Sequence, residues 1–147
     1  MLRSLLCTAS LVGLLLASGC ASVPMASATQ DAALKKFASP TADKAGLYVY
    51  RNSFVGQALK KNVYVDGEYL GESANKVYFY KEVTPGQHNL STESEFSDNA
   101  ISFLAQGGNN YFAEQYIKMG VFVGGANVKM VSEAEGKKNV LESSLAK

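Results

Sequence analysis

Tryptophan is absent from this chain, and histidine (one), cysteine (two) and proline (three) are scarce among its 147 residues. Each scarcity excludes something. One histidine and two cysteines cannot supply the several His, Cys, Asp or Glu ligands at set spacing that a structural metal site needs, so neither metal nor cofactor is expected. The cysteines cannot staple the fold either. Cys7 lies in an N-terminal apolar run that reads as an export signal, which leaves Cys20 alone after processing, and an exported chain with one leftover cysteine uses it for something other than an internal bridge. Charge of either sign is not in excess: 14 Lys and Arg stand against 13 Asp and Glu, and they balance once Arg3 is removed with the signal. That excludes a nucleic-acid binder, whose phosphate contacts need clustered cations. Lys35-Lys36, Lys60-Lys61 and Lys137-Lys138 are pairs on a solvated surface rather than patches.

What is present begins with a signal. Met1-Leu2-Arg3-Ser4 is a short positive segment, and Leu5 to Ala17 is an apolar run of about a dozen residues, against the roughly 20 a bilayer span needs. Ala17, Ser18 and Gly19 then precede Cys20. This resembles the lipobox of bacterial lipoprotein precursors, with Ala17 where leucine is commonest. The resemblance implies that residues 1–19 are removed and that Cys20, carrying a diacylglyceryl group and a further acyl chain such as palmitate, becomes the N-terminus. Two or three acyl chains hold a protein stably on a membrane. Ala21 and Ser22, with no Asp after the cysteine, favour the outer membrane, on its periplasmic face. The competing reading is an ordinary secretory signal cut after Ala26-Ser27-Ala28, a site separated from the apolar run by Pro24.

Residues 20–45 are rich in Ala, Ser, Thr and Pro and lack strand alternation, so they read as a spacer that holds the domain on the order of 25–30 Å from the anchor. Within it, Asp31 to Phe37 suits a short helix capped by Thr29. From Gly46 the pattern changes to strands: Leu47–Arg51, Asn62–Val65, Glu68–Leu70, Lys76–Val83, Gln87–Glu93, Asn99–Gln106, Asn110–Lys118 and a last one near Val128–Val131. Asp66-Gly67 is a hairpin turn, and Thr84-Pro85-Gly86 another. Gly120 to Gly125 is an apolar connection. Ser132 and Glu135 fit a capping box, and Ala134, Lys138, Leu141 and Leu145 recur at helical spacing, so the chain ends in a short helix weakened by Gly136. Short strands between Gly and Pro turns specify a mainly β fold, an antiparallel β-sandwich or small barrel.

Val63-Tyr64-Val65-Asp66-Gly67, with Leu70-Gly71 and then Val83-Thr84-Pro85-Gly86-Gln87-His88, resembles a PEGA-type β-sandwich module, Ig-like in build. Together with Gly46 to Arg51 and the signal, the chain also resembles an uncharacterised family of small bacterial lipoproteins built around such a domain. The resemblance implies three parts: a signal peptide over 1–19, a lipid-anchored spacer over 20–45, and a sandwich with a C-terminal helix over 46–147. It brings no activity, because PEGA modules are treated as surface or scaffold domains.

Chemistry is thin. His88 has Asp66 and several serines to recruit, but no nucleophile-elbow motif, so it reads as bonded to the turn it follows rather than as a catalytic base. Glu93, Glu95 and Asp98 lack a calcium-loop pattern and read as a solvated turn. Gly120–Gly125 has no Lys-Ser/Thr and is not a phosphate loop. Tyrosine is the more informative feature. Tyr48/Tyr50 and Tyr78/Tyr80 each lie two apart, hence on one strand face, while Leu47/Val49 and Val77/Phe79 take the core. The tyrosines are a candidate ligand or partner face, either open to stack on sugar rings or covered by the terminal helix and the 30–40 segment. The sequence thus leads to a non-catalytic, lipid-anchored envelope protein whose partners are the membrane through Cys20 and an envelope protein. The alternative is a glycan- or peptidoglycan-binding module that uses the tyrosine face.

Overall fold

A computed structural model describes residues 22–94, 96–122 and 124–147. Among them are nine strands and two short helices: α1 (Ala28–Leu34), β1 (Ala45–Arg51), β2 (Lys61–Val65), β3 (Glu68–Ser73), β4 (Val77–Val83), β5 (Gly86–Thr92), β6 (Asn99–Ala105), β7 (Asn110–Lys118), β8 (Gly125–Val131), α2 (Glu133–Leu141) and β9 (Ser144–Leu145). The strands form two sheets, β8-β7-β1-β4-β9 and β3-β2-β5-β6. The mainly β sandwich expected from the turn spacing is what the chain builds.

One part of that expectation is corrected. The second sheet is antiparallel throughout, but the first is mixed, because β1 runs parallel to β7 and β4 parallel to β9. Alternation with period two identifies a strand and its inner face; it carries no information about which strand lies beside it.

The alternation itself is obeyed. Leu47, Val49, Val77 and Phe79 enter the core between the sheets with Val63, Val65, Leu90 and Phe103. The alternate residues Tyr48, Tyr50 and Tyr78 point to the outer face of the five-stranded sheet and form a second core with Phe112, Val140 and Leu145. β1, central in its sheet, is buried over its whole length because both of its faces are covered.

One helix is displaced from its sequence frame and the other ends early. α1 starts at Ala28 with Ser27, not Thr29, as its cap: the Gln30 N–H donates to Ser27 Oγ (3.2 Å) and the Ser27 N–H donates to Gln30 Oε1 (3.2 Å). The Ser27-x-x-Gln30 pair satisfies two end donors reciprocally, an option Thr29 lacks. α2 begins as expected, with the Glu135 N–H donating to Ser132 Oγ (3.2 Å), but it ends at Leu141, and Leu145 belongs to β9. Its buried face is Gly136 and Val140, whereas Ala134 and Leu141 face solvent.

The largest correction concerns the spacer. Val23 is buried with the inter-sheet core. Met25 pairs with Ala146; the Ala26 N–H donates to the Leu145 carbonyl (2.9 Å) and the Lys147 N–H donates to the Pro24 carbonyl (2.9 Å). Farther on, Asn110 Nδ2 donates to the carbonyls of Phe37 (3.2 Å) and Ala38 (3.1 Å). Residues from Val23 onward are therefore built onto the sandwich. An Ala/Ser/Thr-rich composition permits flexibility, but here the apolar minority and the backbone bonds decide.

Candidate functional site

The tyrosines named from the sequence are brought together. Tyr48 and Tyr80 ring centroids lie 4.8 Å apart, and Tyr48 and Tyr78 lie 6.2 Å apart. Tyr48 also stacks on Phe112 at 5.0 Å with planes 13° apart, a contact worth about 1 kcal/mol beyond its burial. Of the two placements open to this group, the structure takes the covered one. Tyr48, Tyr50 and Tyr78 are buried and Tyr80 is half-buried, beneath α1, Phe37 and α2. Tyr48 Oη donates to the Leu34 carbonyl (3.0 Å) and Tyr78 Oη to the Asp31 carbonyl (3.4 Å). Burial pushes the Tyr48, Tyr50 and Tyr78 phenols well above their ordinary range, so they stay neutral. As an open stacking platform for sugars the quartet is corrected: the helices already occupy the space a ring would take.

Asp31 locks that cover. Its Oδ2 receives Lys35 Nζ at 2.8 Å and its Oδ1 the Leu145 N–H at 3.0 Å, while Lys35 also donates to the Ser143 carbonyl (2.6 Å). Burial raises the Asp31 carboxyl, but the Lys35 and Tyr78 hydrogen bonds and the Lys35 charge outweigh it and hold the group below its ordinary value.

His88 forms a clasp between two turns. Nδ1 lies 2.6 Å from Asp66 Oδ2 and Nε2 lies 2.7 Å from the Thr84 carbonyl. A carbonyl can only accept, so Nε2 carries a proton; the carboxylate favours a proton on Nδ1 as well, which makes the imidazolium the matched form. Burial lowers the ring's pKa, yet the Asp66 and Thr84 bonds outweigh it and set it above the usual histidine value. Asp66, raised by burial, is held low by the Asn89 N–H on Oδ1 (2.8 Å) and by His88. Asp66 itself has φ +54° and Gly67 φ +79°, the left-handed pair of a tight hairpin turn. With both nitrogens committed, the ring has none left to take a proton from a nucleophile. His88 is bonded to the turn it follows, as its position suggests, and also to the Asp66 turn.

Cys20 and Glu95 lie outside the described residues, so neither the lipid attachment nor the full Glu93/Glu95/Asp98 group is placed. Among the described residues no three His, Cys, Asp or Glu gather as a metal would require. No helix of the described residues is long and apolar enough to cross a membrane.

A feature the sequence reading passed over lies at one end of the sandwich. Three connections meet there, described at residues 52–60 after β1, 93–94 and 96–98 after β5, and 119–122 and 124 after β7. They display Phe54 (83% exposed), Val55, Phe96 (75%), Met119 (88%), Val121 and Phe122. The available signal was large apolar residues inside Gly- and Ser-bearing connections, where hydrophobic side chains have no core to enter. Arg51 pins the first loop. Its buried guanidinium donates to the Leu59 carbonyl (2.7 Å), to the Gly56 carbonyl and, across to β3, to the Ser73 carbonyl (3.4 Å). Burial pulls its pKa down to about 10, which leaves it charged at neutral pH with main-chain oxygens as its partners.

The fold thus defines a mainly β, two-sheet sandwich with helices covering one outer face. The chain belongs to DUF2846, a family of proteins of unknown function, which matches residues 41–126. It is similar to an uncharacterised protein of Haemophilus influenzae, 50% identical over 145 residues that cover 98% of this chain and 86% of that one. No solved structure matches it.

Proposed function

We propose that this is a lipid-anchored protein of the bacterial envelope, acylated on Cys20, whose sandwich is a non-catalytic interaction or scaffold domain of PEGA-like build. The observation that carries the reading is the role of residues 23–28. An ordinary signal cut after Ala28 would discard Val23, a core residue, Ala26, which bonds to β9, and Ser27, the α1 cap. Maturation at Cys20 keeps all three. The clasp between Asp66 and His88 joins the two turns on which the PEGA-type likeness rests, which supports that part of the reading. The missing Asp after Cys20 favours the outer membrane. Because Val23 is already buried, only Ala21 and Ser22 separate the anchor from the domain, so the domain sits against the bilayer rather than on a long tether.

Mass spectrometry of the mature N-terminus tests this. A chain beginning at Cys20 and carrying acyl mass is expected, and Cys20→Ala should release the protein from membranes. An unmodified chain beginning at Thr29 would defeat the reading. The covered tyrosines give no support to the glycan-binding alternative.

A further inference from the structure

We propose that the apolar tip bearing Phe54, Val55, Phe96, Met119, Val121 and Phe122 is a docking surface for a protein partner that presents an uncharged apolar cleft. Large apolar side chains scattered singly on a surface need no explanation, but several gathered on adjoining loops mark an interaction site. The loops adjoin by direct contact. A Cβ on Gly56 would fall on Ile117, and one on Gly124 would strike Leu59. The Glu93 N–H donates to the Asn62 carbonyl (3.2 Å), and Asn99 Nδ2 donates to the Ala126 carbonyl (2.6 Å), which ties the two ends of the β5–β6 connection to β2 and β8, the strands that follow the other two loops.

The first of the three loops is also held in shape. Arg51 fixes the 52–60 backbone at Gly56 and Leu59, and the Leu59 N–H donates to the Gly56 carbonyl (2.9 Å). Ordering a loop before binding removes part of the entropy that binding would otherwise cost. A buried guanidinium thus orders a loop whose tip exposes Phe54 and Val55, an arrangement suited to recognition.

The choice of occupant rests on the Cys20 anchor proposed above and on where the chain enters the domain. β4 begins at Val77, opposite Arg51 and thus at the tip end, and β9 begins beside it at Ser144. The N-terminal segment runs antiparallel to β9, with Pro24 against Lys147, so it leaves away from the tip; Pro24 lies roughly 10 Å further from the tip than Ser144 by strand rise. A lipid on Cys20 therefore holds the opposite end of the sandwich at the membrane. The tip points outward, beyond reach of the leaflet that carries the anchor. Two copies anchored side by side point the same way and cannot meet tip to tip. A protein in the space beyond the membrane is the occupant left. Its contact is apolar at the centre, since residues 119–122 carry no charge, with Lys118, Asp98 and the Lys61–Glu93 ion pair (3.8 Å) in the adjoining sequence.

The experiment uses the full-length protein in its own envelope, with a photoreactive phenylalanine analogue at position 54 or at position 119, and at Asp43 as the far-end control. Expected is one heterologous adduct, the same protein from both tip positions and none from position 43, with the crosslinked peptide drawn from an uncharged apolar segment of that protein. Adding Phe96→Ser should cut its yield at least fivefold while the thermal midpoint is kept. A doubled-mass self-adduct, adducts to lipid alone, an adduct indifferent to Phe96→Ser, or no adduct overturns the proposal. The mature N-terminal mass, read on the same sample, separates the two claims. Acylated Cys20 without the tip adduct sinks the tip alone, whereas the tip adduct with unmodified Cys20 sinks the anchor alone.

Discussion

Gly136 of α2 lies directly on the ring of Phe112, so closely that any Cβ at position 136 would overlap that side chain. In an isolated helix Gly→Ala stabilises by about 1 kcal/mol. Here the sign reverses. Gly136→Ala is expected to destabilise by about 1–3 kcal/mol, the usual cost of overpacking a fixed contact, because Phe112 is itself held by Tyr48 and Phe37. Urea denaturation of the variant checks this, and a midpoint at or above the parent's would show that α2 can lift off its sheet without cost.

The segment from Val23 to Phe37 is predicted to be structural. A mature chain beginning at Ala38 loses the cover over Tyr48 and Tyr78 and should melt roughly 10 °C or more below one beginning at Ser22, or fail to fold. Asp31→Ala isolates the lock: it strands the Leu145 N–H and leaves Lys35 bonded to the Ser143 carbonyl without its carboxylate, at a cost of about 1–2 kcal/mol. Equal melting of all three proteins would restore the spacer reading.

The His88–Asp66 clasp sets a pH window. His88 has its pKa raised above 6.5 in the fold, so its contribution is fully present below 6.5 and is lost as the pH rises through the folded value. Asp66 has its pKa lowered below 3.8, so its contribution is fully present above 3.8 and is lost as the pH falls through the folded value. The pair therefore stabilises most between pH 3.8 and 6.5. His88→Gln should remove the decline at the alkaline side, and an NMR titration of the His88 ring should show an elevated midpoint. A midpoint at or below 6.5 would contradict the geometry.

Arg51 offers a local readout. Arg51→Ala removes the guanidinium donor from the Leu59, Gly56 and Ser73 carbonyls, of which Gly56 keeps the Leu59 N–H, and is expected to cost about 2–3 kcal/mol. Arg51→Lys keeps the charge but cannot reach three diverging oxygens, so it should retain part of that stability while speeding hydrogen exchange at the Leu59 amide. Unchanged exchange at Leu59 in both variants would mean that the loop is held by something other than the guanidinium.

Much of the inner architecture is legible in the residues. Side chains on a strand alternate, so placing Leu47, Val49, Val77 and Phe79 in the core necessarily sends Tyr48, Tyr50 and Tyr78 to the other face. Asp66-Gly67 names its own turn because only a few residues tolerate a left-handed backbone, and a histidine four residues after Thr84 can reach back to that turn. Several features were not legible for equally physical reasons. Strand period does not encode neighbours, so the parallel pairing of β1 with β7 and of β4 with β9 was hidden. Gly136 scores as a helix weakener because its virtue, the absence of a Cβ, matters only once Phe112 stands beside it. Leu145 falls at helical spacing by coincidence and is claimed by β4.

By itself, then, the sequence determined the composition-level exclusions, the inner and outer faces of β1 and β4, the turns, and the cysteine available for an anchor. These follow from local geometry and from counting. Only the tertiary structure decided that the tyrosine face is closed, that residues from Val23 onward belong to the domain, and that three separate apolar loops share one end. Each of those depends on which distant segments lie side by side, and that is settled by the summed burial and backbone pairing of the whole chain rather than by any stretch of it.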